Sequence, residues 1–169
     1  HNPVVCDRWS TQRLNGFHHS FFNAGGYATW ENVWGIWNGL SDRDAQIARQ
    51  ISHLQRFLSD LLFSDSNFAP YVEGLPPGVY GSTVRNETIT VHLIVTRRGP
   101  GRPSVYEEPA TVLPDEGLSR PSGHLVGESL FDLWNGRRLV DQDHVKLEHG
   151  GFGAIAMLTG GEVPEAYLS

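Results

Sequence analysis

Cysteine is nearly absent: Cys6 stands alone in 169 residues, so no disulfide forms within the chain and the usual secreted disulfide framework is excluded. Lysine is as scarce, with Lys146 beside twelve arginines. The formal net charge of −6 carries no basic excess, which argues against nucleic acid or an anionic membrane as a partner. No run approaches the roughly 18 consecutive apolar residues of a membrane-spanning helix. The eight histidines show no H-x3-H or H-E-x-x-H spacing, and one cysteine cannot build a structural zinc site, so no metal site is read. Neither a phosphate loop nor a dinucleotide fingerprint occurs, and no cofactor is expected. A G-x-S-x-G frame is missing too, which removes the commonest serine nucleophile. His1 brings neither an initiator methionine nor a signal-like start, as expected of a piece of something longer.

What is present belongs to a folded chain: 39% hydrophobic and 19% charged residues, with nineteen glycines and ten prolines marking many turns. Leu14 to Phe22 reads as a short apolar strand candidate, ending in the polar, glycine-rich run Asn23-Ala-Gly-Gly26. The clearest element follows. Ser41 is a natural N-cap, Asp42 and Asp44 place negative charge in the first turn, and Ile47, Ile51, Leu54, Leu58 and Leu61 recur at helical steps. The pattern predicts an amphipathic helix over 42–63, whose stripe needs a sheet to cover.

Pro70, Gly74, Pro76, Pro77 and Gly78 then read as a linker over 66–78. Beyond it the pattern is β, with strands expected at 79–84 and 89–96, a further one near 106–113, and a long loop over 114–128. Leu130 to Trp134, Asn135-Gly136 and Arg137 to Val140 predict a hairpin with a type I′ turn. Val145 and Leu147 alternate inward, and 152–158 is an apolar closing strand. Residues 79–159 are therefore expected to form a small antiparallel β-sandwich, with Trp134 between its sheets, Asp132 outward and 160–169 a tail. Asn86-Glu87-Thr88 is a glycosylation sequon, usable only in a secretory pathway.

Chemistry concentrates in Tyr27-Ala-Thr-Trp-Glu31-Asn-Val-Trp-Gly-Ile-Trp-Asn38. Aromatic faces stack on the apolar faces of sugar rings, and amides hydrogen-bond sugar hydroxyls. A lone glutamate among them suits acid/base or nucleophilic work on a glycosidic bond. Glu31 is the catalytic candidate, as nucleophile or general acid/base; the competing reading is an exposed or helix-capping glutamate. Trp30, Asn32, Trp34 and Trp37 are the candidate substrate-binding residues, joined by Asn23, Tyr27 and His18. The tryptophans equally suit a buried helical face. His18 and His19 would face opposite sides of a strand, and either suits a satisfied core or surface position. Asn23-Ala-Gly-Gly26 would hold amides near a ligand or simply make a tight turn.

The aromatic segment over 22–38, the helix start Ser41-Asp42-Arg43-Asp44 and Phe131-Asp132-Leu133-Trp134-Asn135-Gly136 resemble one group of large glycosidase-like proteins. Relatives in that group often carry a formylglycine-generating-enzyme-like domain, of which nothing is visible here. The resemblance implies an α/β barrel fragment, the terminal strands and last helix of a (β/α)8-like barrel over 1–65, followed by an all-β antiparallel sandwich over 79–159. It implies the C-terminal portion of a glycoside-hydrolase-like protein acting on or binding carbohydrate, secreted or extracellular. Another polypeptide segment would complete the barrel, since a whole one needs about 250 residues. The alternative is a non-catalytic structural or carbohydrate-binding module in a larger extracellular assembly.

Overall fold

The computed structural model describes residues 13–27, 41–62, 68–75, 77–96, 129–139, 145, 147 and 151–158, with the backbone of 4–7 and 28–29. The chain starts with a strand β1 (Val4–Asp7), a helix α1 (Leu14–Phe22) and a second strand β2 (Gly26–Thr29). β1 and β2 pair in parallel, with Val4 opposite Gly26 and Asp7 opposite Thr29. Two helices follow, α2 (Asp42–Phe57) and the short α3 (Ser59–Leu62). Six strands then make one antiparallel sheet: β3 (Phe68–Pro70), β4 (Val79–Arg85), β5 (Ile89–Thr96), β6 (Ser129–Asp132), β7 (Arg137–Leu139) and β8 (Phe152–Leu158). Their spatial order is β3-β4-β5-β8-β6-β7.

This arrangement overturns the expected α/β barrel fragment followed by a sandwich. The chain is mostly β, built on a single open six-stranded antiparallel sheet, and among the described residues the parallel pairing is confined to β1 and β2. Among the described residues no second antiparallel sheet packs on the first. Helices cover one face, where Phe17, Phe21, Ile47 and Ile51 meet Val91, Leu93 and Val95. On the other face Val145, Leu147 and Leu75 pack on Ile94, Leu130 and Ile155. The expected linker over 66–78 is not merely a connection, since β3 extends the sheet edge within it.

α1 stands where a strand was expected. Leu14, Phe17, His18 and Phe21 are buried at steps of three, one and three, which is one helical face. Gly16 fits this helix for a steric reason: a Cβ there would come within 2.8 Å of the Tyr27 ring, so glycine lets α1 lie directly on β2. α2 follows its stripe. Ser41 Oγ accepts from the Asp44 amide at 3.2 Å, and Ile47, Ile51 and Leu54 are buried. The expected single helix breaks at Leu58, whose carbonyl accepts from the amides of both Leu61 and Leu62 to start α3. Asp44 is not a surface charge but is buried beneath Arg43, whose Nε and Nη2 donate to Oδ1 at 3.0 and 2.8 Å.

The β6–β7 connection is a four-residue loop over 133–136 with Asp132 opposite Arg137, not a type I′ turn. Gly136 alone has positive φ there, at 65°, whereas a type I′ turn needs it at both central residues. Asp132, expected to face outward, has no exposed surface. Its carboxylate instead accepts from the Asn135 amide at 3.1 Å and from Asn135 Nδ2 at 2.8 Å, and pairs with Arg137 Nε at 3.5 Å. Trp134 is buried between helix and sheet rather than between two sheets. It stacks on Phe152 at 5.1 Å and meets Phe21 edge-on at 5.5 Å.

Leu147 closes the second face by lying over Gly153, where an added Cβ would overlap its side chain. Gly153→Ala is expected to lower stability by about 1–3 kcal/mol, because a packed interior has no room for one more carbon. Thermal melts check this, and Gly153→Ala combined with Leu147→Ala is expected to lose less than the sum of the two single changes.

Candidate functional site

The ends of β2 and α2 frame the aromatic segment. β2 ends at Thr29, one residue before Trp30, and α2 starts behind the cap at Ser41. Because β1 and β2 run in parallel, Asp7 and Thr29 lie at the same, carboxyl-terminal end of the pair. Five of the candidates, Trp30, Glu31, Asn32, Trp34 and Trp37, lie outside the described residues. The other three are described, and each has its own setting.

His18 sits on the buried face of α1 with its ring 4.5 Å from Phe152, in the layer between helix and sheet. His19, the next residue on the same helix, is exposed. Tyr27 turns its ring toward α1, 4.4 Å from Phe17, and its hydroxyl is buried. Asn23 caps the carboxyl end of α1: its amide and its Nδ2 both donate to the His19 carbonyl, at 3.1 and 2.8 Å. Packing and capping thus account for where these three side chains lie.

The run Asn23-Ala-Gly-Gly26 makes a tight turn. Ala24 takes a positive φ of 52°, and the Gly25 amide donates to the Ser20 carbonyl at 2.8 Å. Ser20 Oγ and Gln55 Nε2 both donate to the Gly25 carbonyl, at 2.6 and 2.7 Å. Gln50 Nε2 donates to the Trp134 carbonyl at 2.6 Å, tying α2 to the β6–β7 loop. Three side chains from two helices therefore fix the lead into β2 and the position of α2.

One polar group that the sequence did not single out is buried on the sheet. His92 on β5 shares a hydrogen bond with Thr83 Oγ1 through Nδ1 at 2.9 Å, and its Nε2 is buried without a partner among the described residues. The register places Thr83, His92, Ile155, Asp132 and Arg137 in one row across five strands. Strand alternation was the available signal, because His92 shares its face with Ile94. Among the described residues no group of three or more His, Cys, Asp or Glu is placed to hold a metal. No described helix is long and apolar enough to cross a membrane.

Comparisons with protein-family models, with curated proteins and with solved structures return no match to this chain.

Burial lowers the His92 pKa below its ordinary value of 6.5, because the charged imidazolium is desolvated. The unfolded chain then takes up a proton near 6.5 while the folded chain does not. Stability from this group is complete above that pH and is lost as the pH falls toward the lower folded value. Urea melts across this window are expected to show that decline in the natural chain and a shallower one in the Thr83→Val, His92→Leu double variant.

Proposed function

We propose that the chain is the C-terminal portion of a glycoside-hydrolase-like protein acting on carbohydrate. Glu31 is its catalytic carboxylate, and Trp30, Asn32, Trp34 and Trp37 are the walls of its sugar subsites. The parallel pairing of β1 with β2 supports this reading, since the aromatic segment follows in sequence from the carboxyl end of β2. Ligands of open parallel α/β units bind outside the carboxyl ends of their strands. Three indoles, a carboxylate and two carboxamides in that position suit a pyranose ring, with stacking for its faces and hydrogen bonds for its rim.

In this reading Asn23, Tyr27 and His18 act through position. Asn23 holds the turn before β2, Tyr27 seats β2 on α1, and His18 seats α1 on β8 through Phe152. Among the described residues β1 and β2 pair only with each other, and parallel strands are normally covered on both faces. Another polypeptide segment adjoining this pair is therefore part of the proposal. Glu31 works either as nucleophile or as general acid/base, according to its separation from a second carboxylate.

Glu31→Gln removes the titrating group and keeps the shape. In the full-length protein it is expected to cut glycoside turnover by about 10²–10⁴-fold without lowering the melting temperature. Nitrophenyl glycosides and natural oligosaccharides would serve as substrates, and undiminished hydrolysis by the variant would defeat the assignment. A natural chain that binds oligosaccharide without turning it over, and loses that binding in Trp34→Ala, favours the non-catalytic module instead.

A further inference from the structure

We propose that Tyr71, Tyr80 and Phe22 form an exposed aromatic platform that stacks a sugar ring of a polysaccharide, as a binding site separate from the segment around Glu31. Its ligand class rests on the carbohydrate reading above, while its residues do not. Tyr71 follows the edge strand β3 and holds a positive φ of 66°. That conformation is a true outlier for a bulky side chain, and such outliers persist where the surroundings enforce them. Here the surroundings are visible. Pro70 pairs with Ser82 before it, and the Val72 amide donates to the Gly81 carbonyl at 2.8 Å after it. The chain is pinned to β4 on both sides of Tyr71, and a glycine would hold the same bend without strain.

The tyrosine at this bend lies against Phe22, with ring centroids 5.6 Å apart, and remains 72% exposed. Phe22 is fixed from beneath, because Ser82 Oγ donates to its carbonyl. Tyr80 lies two residues before Ser82 on the same face of β4 and is 44% exposed. Neither Tyr71 nor Tyr80 hydroxyl makes a hydrogen bond among the described residues, so both are available to a ligand. The Tyr71 ring packed on Phe22, and Tyr80 on the adjoining strand, therefore offer two exposed phenols near the sheet edge, on backbone that ordering need not restrict further.

The chemistry around the rings selects the occupant. From Phe68 to Val84 the chain holds one charged residue, Glu73, and no lysine or arginine. A nucleic acid strand needs cations along its backbone as well as rings to stack on, so it does not fit. Three rings are also far short of the roughly 800 Å² that each partner contributes to a standard protein interface. They match one or two sugar units, whose apolar faces stack while their hydroxyls meet the phenols.

The test is electrophoresis of the full chain through native gels containing hydroxyethylcellulose, xylan, glucomannan or pullulan. Glu31→Gln is the background, so that no gel is digested. Tyr71→Gly is the key variant, since it removes the ring and suits the positive φ, and its melting temperature is expected not to fall. At least one polysaccharide is expected to retard the Glu31→Gln protein, with affinity dropping about tenfold on adding Tyr71→Gly or Tyr80→Ala. Tyr71→Phe should keep most of it. Retardation that survives Trp34→Ala and disappears with Tyr71→Gly supports the platform. Retardation abolished by Trp34→Ala and indifferent to Tyr71→Gly overturns the platform and leaves the Glu31 reading standing. Migration unchanged by all four polysaccharides overturns it as well, as does a change of oligomeric state in Tyr71→Gly, which would make this face a contact between copies.

Discussion

The ring of Phe152 is the meeting point of the molecule. It lies fully buried on β8, in contact with His18 and Phe21 from α1 and stacked on Trp134 from the β6–β7 loop. Aromatic side chains of this kind bury roughly 150–250 Å² each, worth about 4–6 kcal/mol per ring by area. Geometry adds to area here, because Trp134 lies nearly parallel to Phe152 at 15° while Phe21 meets it edge-on at 85°. α1 is oriented by this cluster on one side and touches β1 and β2 on the other. The parallel pair is thus positioned relative to the antiparallel sheet through one nine-residue helix.

That chain of contacts ties the proposed site to the core. The aromatic segment begins where β2 ends, β2 lies on α1 through the close fit of Tyr27 over Gly16, and α1 rests on Phe152. The far end of the segment meets α2, which Gln55 and Gln50 link to the turn before β2 and to the loop carrying Trp134. The two ends that flank the proposed segment are therefore held by packing and by side-chain hydrogen bonds from α1 and α2. Substrate-positioning residues are expected to be held in just such a fashion, by packing and hydrogen bonds one layer back.

Much of this could be read from residue order, and the failures have specific causes. The α2 stripe was legible because five apolar residues repeat over four turns and a serine caps them. β5 and β8 were legible from their β-branched or apolar runs. α1 was misread since nine residues with a central glycine and two histidines carry a weak period, and tertiary packing decides such cases. The sandwich expectation failed because alternation shows that a sheet face is buried without showing what buries it. Helices and the chain around Val145 and Leu147 do so here. Asp132 faces inward, against the expectation from strand alternation, because Asn135 and Arg137 supply donors to its carboxylate within five residues of it. Of the expected site, only His18, Asn23 and Tyr27 fall among the described residues, and their surroundings are those of packing and capping.

The position of β8 has a consequence for biogenesis. β8, the last of the described strands, is an interior strand of the sheet, joining the part made by residues 68–96 to the part made by 129–139. As the polypeptide leaves the ribosome, the β4–β5 hairpin keeps a free edge until some sixty later residues have been synthesised, and its Val91-His-Leu-Ile-Val95 run is apolar. The nascent chain must shield that ribbon from its neighbours until Phe152 to Leu158 can zip into the gap.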